Sequence, residues 1–90
     1  MLFHPGRIVG TPAALALDKG GIMRCLDRHL AGEWGDLDAH DARMNDDALA
    51  ARDGSRLMSV YTVDGTRVYV ITDAPFTPHT VTTVLLPSEY

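Results

Sequence analysis

The stretch GSRLMSVYTVDGTRVYVIT, residues 54–72, decides how this chain folds. Two runs rich in β-branched and aromatic residues flank Asp64-Gly65, a dipeptide suited to a two-residue hairpin turn. The apolar period is two on both sides of that turn, whereas upstream of Gly54 it is helical. Downstream, DAPFTPH (73–79) holds Pro75 and Pro78 and reads as an exposed connection. TVTTVLLP (80–87) then supplies a third strand, ended by Pro87. Three sequential strands with short links predict an antiparallel β-meander over about residues 55–87. Val68 and Val70 alternate with Tyr69 and Ile71, so the pattern leaves open which face is buried.

Working back from Gly54, the segment from about residue 11 to 53 reads as helical. Residues 1–6, with Pro5 and Gly6, form an irregular lead-in. Thr11 followed by Pro12 is a helix-start signal, because Thr can cap free amides and Pro at the first helical position loses no hydrogen bond. AALALDK then predicts a short helix stopped by Gly20-Gly21. A second helix fits Ile22 to Ala31, with Ile22, Cys25, Leu26, His29 and Leu30 on one stripe, and Gly32 can end it. A third runs from a cap at Asp36 to about Ala51, with Leu37, Met44, Ala48 and Ala51 as a narrow apolar stripe. Asp38 falls in its first turn, where negative charge complements the helix dipole. The expected fold is therefore α+β: two to three N-terminal helices packed on a C-terminal three-stranded antiparallel meander, in one domain over residues 1–90.

Composition narrows the function classes. With 46% apolar and 22% charged residues the chain is ordinary for a globular protein. Its net charge of -4 disfavours a nucleic-acid binder that neutralises phosphates. One cysteine, Cys25, precludes an internal disulfide. No apolar run reaches the roughly 18 residues of a membrane span. MLFHPGR lacks the layout of a signal peptide, so the expected compartment is the cytoplasm.

Several constellations carry possible chemistry. Cys25 and His29, four apart on a helix, share a face and suit half a zinc site or a thiol–imidazole pair. No second Cys/His pair exists at finger spacing, and a buried thiol beside an imidazole on the core stripe is the ordinary reading. Glu33 to Asp41 packs four carboxylates and His40 into nine residues. It lacks the alternation and central glycine of a calcium loop, and His40 and Asp41, adjacent on a helix, point apart. No metal site and no cofactor follow. A capped acidic helix start is the ordinary reading; the functional one is a partner surface with a semi-exposed Trp34 as anchor and Asp36, Asp38, His40, Asp41 and Asn45 around it. Asn45 also reads as a polar anchor holding the helix to the sheet. Between Glu33 and Asp53 seven acids face only Arg43 and Arg52. Such a face can imitate phosphate charge and fill a basic groove on another protein. On the strands, Arg56, Tyr61 and Thr83 form the alternative of a sheet-face ribonuclease site.

Residues Arg28-His29, Gly32, Trp34-Gly35-Asp36-Leu37, Asp41 and Asn45 carry a resemblance, together with Gly54-Ser55-Arg56-Leu57, Ser59, Tyr61, Gly65, Val70-Ile71-Thr72 and the run from Thr82 to Tyr90. Over its last two thirds the chain resembles a family of small proteins from bacterial plasmids and integrated mobile elements, called plasmid-related. Some members are described as type I restriction modification subunits. This chain is too short for a methyltransferase domain and has no glycine-rich cofactor loop after a strand. It departs from the pattern in a longer DAPFTPH connection and a looser match over residues 1–27. The resemblance implies a bacterial, cytoplasmic, accessory-gene protein and carries over no catalytic residue. The favoured expectation is a non-catalytic module that binds a protein partner through the Trp34 loop and the acidic helix. The alternatives are a small toxin-type ribonuclease and a structural homodimer built through edge strands.

Overall fold

The computed structural model describes residues 1–90 and has an α+β fold with a four-stranded mixed sheet. In chain order the elements are β1 (Arg7–Gly10), α1 (Pro12–Leu15), α2 (Lys19–Leu30), α3 (Ala39–Ala51), β2 (Leu57–Val63), β3 (Thr66–Asp73) and β4 (Val81–Leu85), then a 3-10 turn over Pro87–Glu89. The sheet order is β1-β4-β3-β2. β2, β3 and β4 form the expected antiparallel meander. The addition is β1, which lies parallel to β4 with Arg7 opposite Val81. The meander is thus not the whole sheet. No helix is long and apolar enough to cross a membrane.

The helical boundaries differ from expectation for local reasons. Thr11 does cap α1, accepting from the Ala14 amide, but the helix ends after one turn at Leu15. Asp18 starts α2 by accepting from the Gly21 amide at 2.8 Å, so Gly20 and Gly21 lie inside a helix and do not stop one. Gly21 is needed there because a Cβ would sit 2.6 Å from Val63 Cγ1, and its absence lets α2 close on β2. The α3 cap is Asp38, not Asp36; its carboxylate accepts from the Asp41 amide at 2.9 Å. The helix stops before Gly54, at Arg52, which takes a left-handed conformation with φ 50°. The connection between β3 and β4 is only partly exposed, since Pro75 is buried.

The helices cover one face of the sheet. Leu57, Ser59, Tyr61 and Val63 of β2, Val68, Val70 and Thr72 of β3, and Thr82 and Val84 of β4 are buried on it. At one end Ile22, Cys25 and Leu26 of α2, with Ala14, pack on Val63, Val68, Val70 and Val84. At the other, Phe3, Trp34, Ala48 and Leu57 form a second cluster. Along α3 the inward residues are Asn45 and Ala48; of the narrow apolar stripe read from sequence, Ala48 is buried and Leu37 packs beside it, while Met44 and Ala51 are exposed.

The two sheet edges are finished differently. Along β2, Val60 donates to the Trp34 carbonyl and accepts from the Asp36 amide. Gly35 makes this bridge possible: its φ is +71°, and a Cβ would fall 2.0 Å from the Val60 carbonyl oxygen. Two residues earlier, the Asn45 amide nitrogen donates to the Met58 carbonyl at 2.7 Å while its oxygen accepts from the Met58 amide at 3.4 Å. Asn45 is therefore the polar anchor its mid-helix position suggested, and it stands in for a neighbouring strand. β1 has no such cover. The Arg7 and Thr11 amides donate to the Thr80 and Val84 carbonyls, so alternation turns Ile8 and Gly10 outward.

Candidate functional site

Between the two core clusters lies a buried polar chain that the sequence did not reveal as a unit. His29 has no exposed surface; Nδ1 lies 2.5 Å from Ser59 Oγ and Nε2 2.9 Å from Thr72 Oγ1. Thr72 Oγ1 is 2.8 Å from Thr82 Oγ1, and the Thr82 hydroxyl donates to the Pro5 carbonyl at 2.8 Å. A carbonyl only accepts, and this fixes every proton in the row. Thr82 gives its proton to Pro5, Thr72 gives its own to Thr82, and His29 gives Nε2–H to Thr72. Nδ1 is then bare and accepts from Ser59. Phe3 and Trp34 present edge-on contacts to the imidazole at 5.4 and 5.6 Å between centroids. Burial pushes the His29 pKa down to about 4. With both nitrogens engaged, the ring is free neither to ligate a metal nor to activate Cys25, whose own thiol is pushed up by burial. No group of three or more His, Cys, Asp or Glu is placed to hold a metal ion.

The sequence-derived surface residues disperse around α3. Trp34 is buried, not semi-exposed: it packs beneath α3 and its Nε1–H donates to Asp46 at 2.9 Å. Its loop is drawn inward by the bridge to Val60. Asp36 is exposed and paired with Arg67 at 3.1 Å. Asp38 is used as the cap, and the Asp41 amide holds its carboxyl below the usual range. His40 and Asp41 are exposed; Asn45 is buried and bound to Met58.

A groove of about 730 Å³ runs along the flank of α3, between the helix, the start of β2 and Tyr90, with Arg56 also in its lining. Leu37, Met44 and Met58 give it apolar walls, and Asp41, Asp47 and Asp53 add carboxylates. The Ser55 amide binds Asp53 and holds its carboxyl below the ordinary range, so this charge persists on mild acidification. Asp41 and the acidic character of α3 were legible in sequence. Met58 and Tyr90 were not, because they reach the groove from remote segments.

The three residues of the ribonuclease alternative are not brought together. Arg56 and Thr83 line a small pocket of about 200 Å³ on the face of the sheet opposite the helices, with Asp73 and Tyr90. Arg56 is spent on Asp73 at 2.7 Å and on the Tyr90 hydroxyl at 2.9 Å. Tyr61 lies on the helix-covered face, where its hydroxyl donates to the Glu33 carbonyl and burial pushes its pKa up to about 12. No protein-family model, curated protein or solved structure matches this chain.

Proposed function

We propose that this chain is a non-catalytic accessory module, of the kind encoded on bacterial mobile elements, that holds a basic amphipathic segment of a partner protein in the groove along α3. The observation that carries the reading is the pairing of an apolar floor (Leu37, Met44, Met58) with Asp41, Asp47 and Asp53 around it. Met44, an exposed and adaptable side chain, suits a surface that must mould to a helix face. The carboxylates select for Lys or Arg along that helix and speed encounter. Trp34 acts from below, by fixing α3 on the sheet through Asp46.

The test uses synthetic helical peptides of one length: a Leu/Lys amphipathic sequence, its Leu/Glu counterpart, and a scrambled Leu/Lys sequence. The basic amphipathic peptide is expected to shift amide resonances of α3 and Met58, and Met44→Glu or Asp47→Lys to weaken it by roughly tenfold or more. Equal binding of all three peptides, or indifference to Met44→Glu, would overturn the reading.

A homodimer through sheet edges has one edge to use. β2 is closed by Asn45 and the Trp34–Asp36 bridge, whereas β1 leaves Ile8 and Gly10 facing outward. Ile8 and Leu15 are also exposed there, and two copies of β1 in antiparallel register would extend the sheet. Sedimentation equilibrium decides it: a dimer mass lost on Ile8→Lys supports this arrangement, and a monomer mass at working concentration removes it.

A further inference from the structure

We propose that the cleft at the end of the sheet where β1 and β4 begin, between the N-terminal segment, the end of α3 and the β3–β4 connection, is a binding site for a mononucleotide. The cleft measures about 750 Å³, within the range of roughly 300–1,000 Å³ typical of small-molecule sites. Its lining includes Arg7, Arg52 and His4 and no carboxylate. That is unusual for a chain with twelve acids against eight Lys and Arg. All three ion pairs of the molecule lie elsewhere, so neither arginine is neutralised.

The backbone around this cleft is held in costly conformations. Four non-glycine residues have positive φ; Asp64 is accounted for by the hairpin turn and Arg52 by the left-handed cap that ends α3. The other two are Ala74 and Phe76, in the β3–β4 connection. Residues of this kind cluster at ligand sites. The Arg52 guanidinium lies 4.0 Å over the Phe76 ring. Arg52 is exposed, so the outer face of its planar guanidinium is free to take an aromatic base, which would complete a three-layer stack.

The phosphate end is equally defined. Arg7 offers a fork of donors matched to phosphate oxygens. His4 Nδ1 accepts from the Gly6 amide at 2.9 Å, so its neutral ring carries the proton on Nε2 and has that donor to give. A bare phosphate would leave the Arg52–Phe76 stack unused, and a bare nucleoside would leave Arg7 unused. A mononucleotide meets both.

The experiment is a titration of the ¹⁵N-labelled chain, residues 1–90, with adenosine 5′-monophosphate, inorganic phosphate and adenosine, read by amide shifts. The nucleotide is expected to move Gly6, Arg7, Arg52, Phe76 and Thr77, and to bind at least about tenfold more tightly than either half. Arg7→Gln should bring its affinity down to that of adenosine, and Arg52→Gln to that of phosphate, while Arg43→Gln on the outer side of α3 leaves it unchanged. The wild-type shift map decides even where a variant folds poorly. Absence of shifts at these amides with millimolar nucleotide, or phosphate binding as tightly as the nucleotide, overturns the proposal.

Discussion

One turn of α2 separates two ways of filling the same helix–sheet interface. Around Ile22, Cys25 and Leu26 the sheet answers with Val63, Val68, Val70 and Val84, and the contact is apolar throughout. Around His29 it answers with Ser59, Thr72 and Thr82, and the contact is a row of oriented hydrogen bonds. The apolar half tolerates any shape-filling hydrocarbon at a modest energetic cost. The polar half admits one arrangement, because every proton is assigned from the Pro5 carbonyl backward. Burial supplies stability in the first and geometric uniqueness in the second, and the N-terminal segment is positioned by the second.

That contrast is open to attack. The largest effect is expected from His29→Ala, which leaves a cavity and strips partners from Ser59 and Thr72. We expect a loss of about 3–5 kcal/mol in urea unfolding, set against about 2–5 kcal/mol for Leu26→Ala. The sharper version is the triple change His29→Leu, Ser59→Ala, Thr72→Val. If the row is chiefly a device of specificity, the triple variant should regain most of what His29→Leu alone loses. If it regains nothing, the polar half is a net source of stability and the contrast fails.

The next largest effect is pH dependence. The folded-state pKa of His29, about 4, lies below its ordinary 6.5. Between these values the unfolded chain binds a proton that the folded chain refuses. The contribution is therefore complete above pH 6.5 and is lost as pH falls toward 4. It amounts to about 3 kcal/mol. Unfolding curves at pH 7 and pH 4 should show this difference, and His29→Gln should remove it while leaving the carboxylate-driven part below pH 4. A wild-type profile flat from 7 to 4 would contradict the buried neutral ring.

The smallest effect is expected from Asn45→Ala, which breaks a polar contact of a different kind, side chain to backbone. It frees both backbone groups of Met58 and should cost about 1–3 kcal/mol. Amide exchange at Met58 should quicken while that at Val70 stays unchanged at matched stability.

How much of this was legible in the sequence follows from the range of each interaction. The hairpin at Asp64-Gly65 and the change of period near Gly54 are local signals, and both held. So did His29 on the buried stripe of α2 and Asn45 as an anchor. β1 was hidden because RIVG is only four residues long and its partner, β4, begins at Val81. A parallel pairing across most of the chain leaves no local trace. Asp36 and Asp38 are equally good caps by type, and what separates them is the bridge that takes Asp36 to Val60. Trp34 was misplaced for the same reason: the loop that carries it is folded inward by a contact with a strand about 25 residues away. The groove was half legible, through the carboxylates of α3, and half not, since Met58 and Tyr90 arrive from elsewhere.

The hydrogen bond from Thr82 to the Pro5 carbonyl joins residues 77 apart, and the one from Thr11 to Glu89 joins residues 78 apart. During synthesis β1 leaves the ribosome well before β4, the strand it lies against. At about 5–20 residues per second the N-terminal segment waits roughly 4–15 s for its partner. Over that interval the backbone of β1 has no strand to pair with. The hairpin can form meanwhile, and the parallel pairing of β1 closes after it.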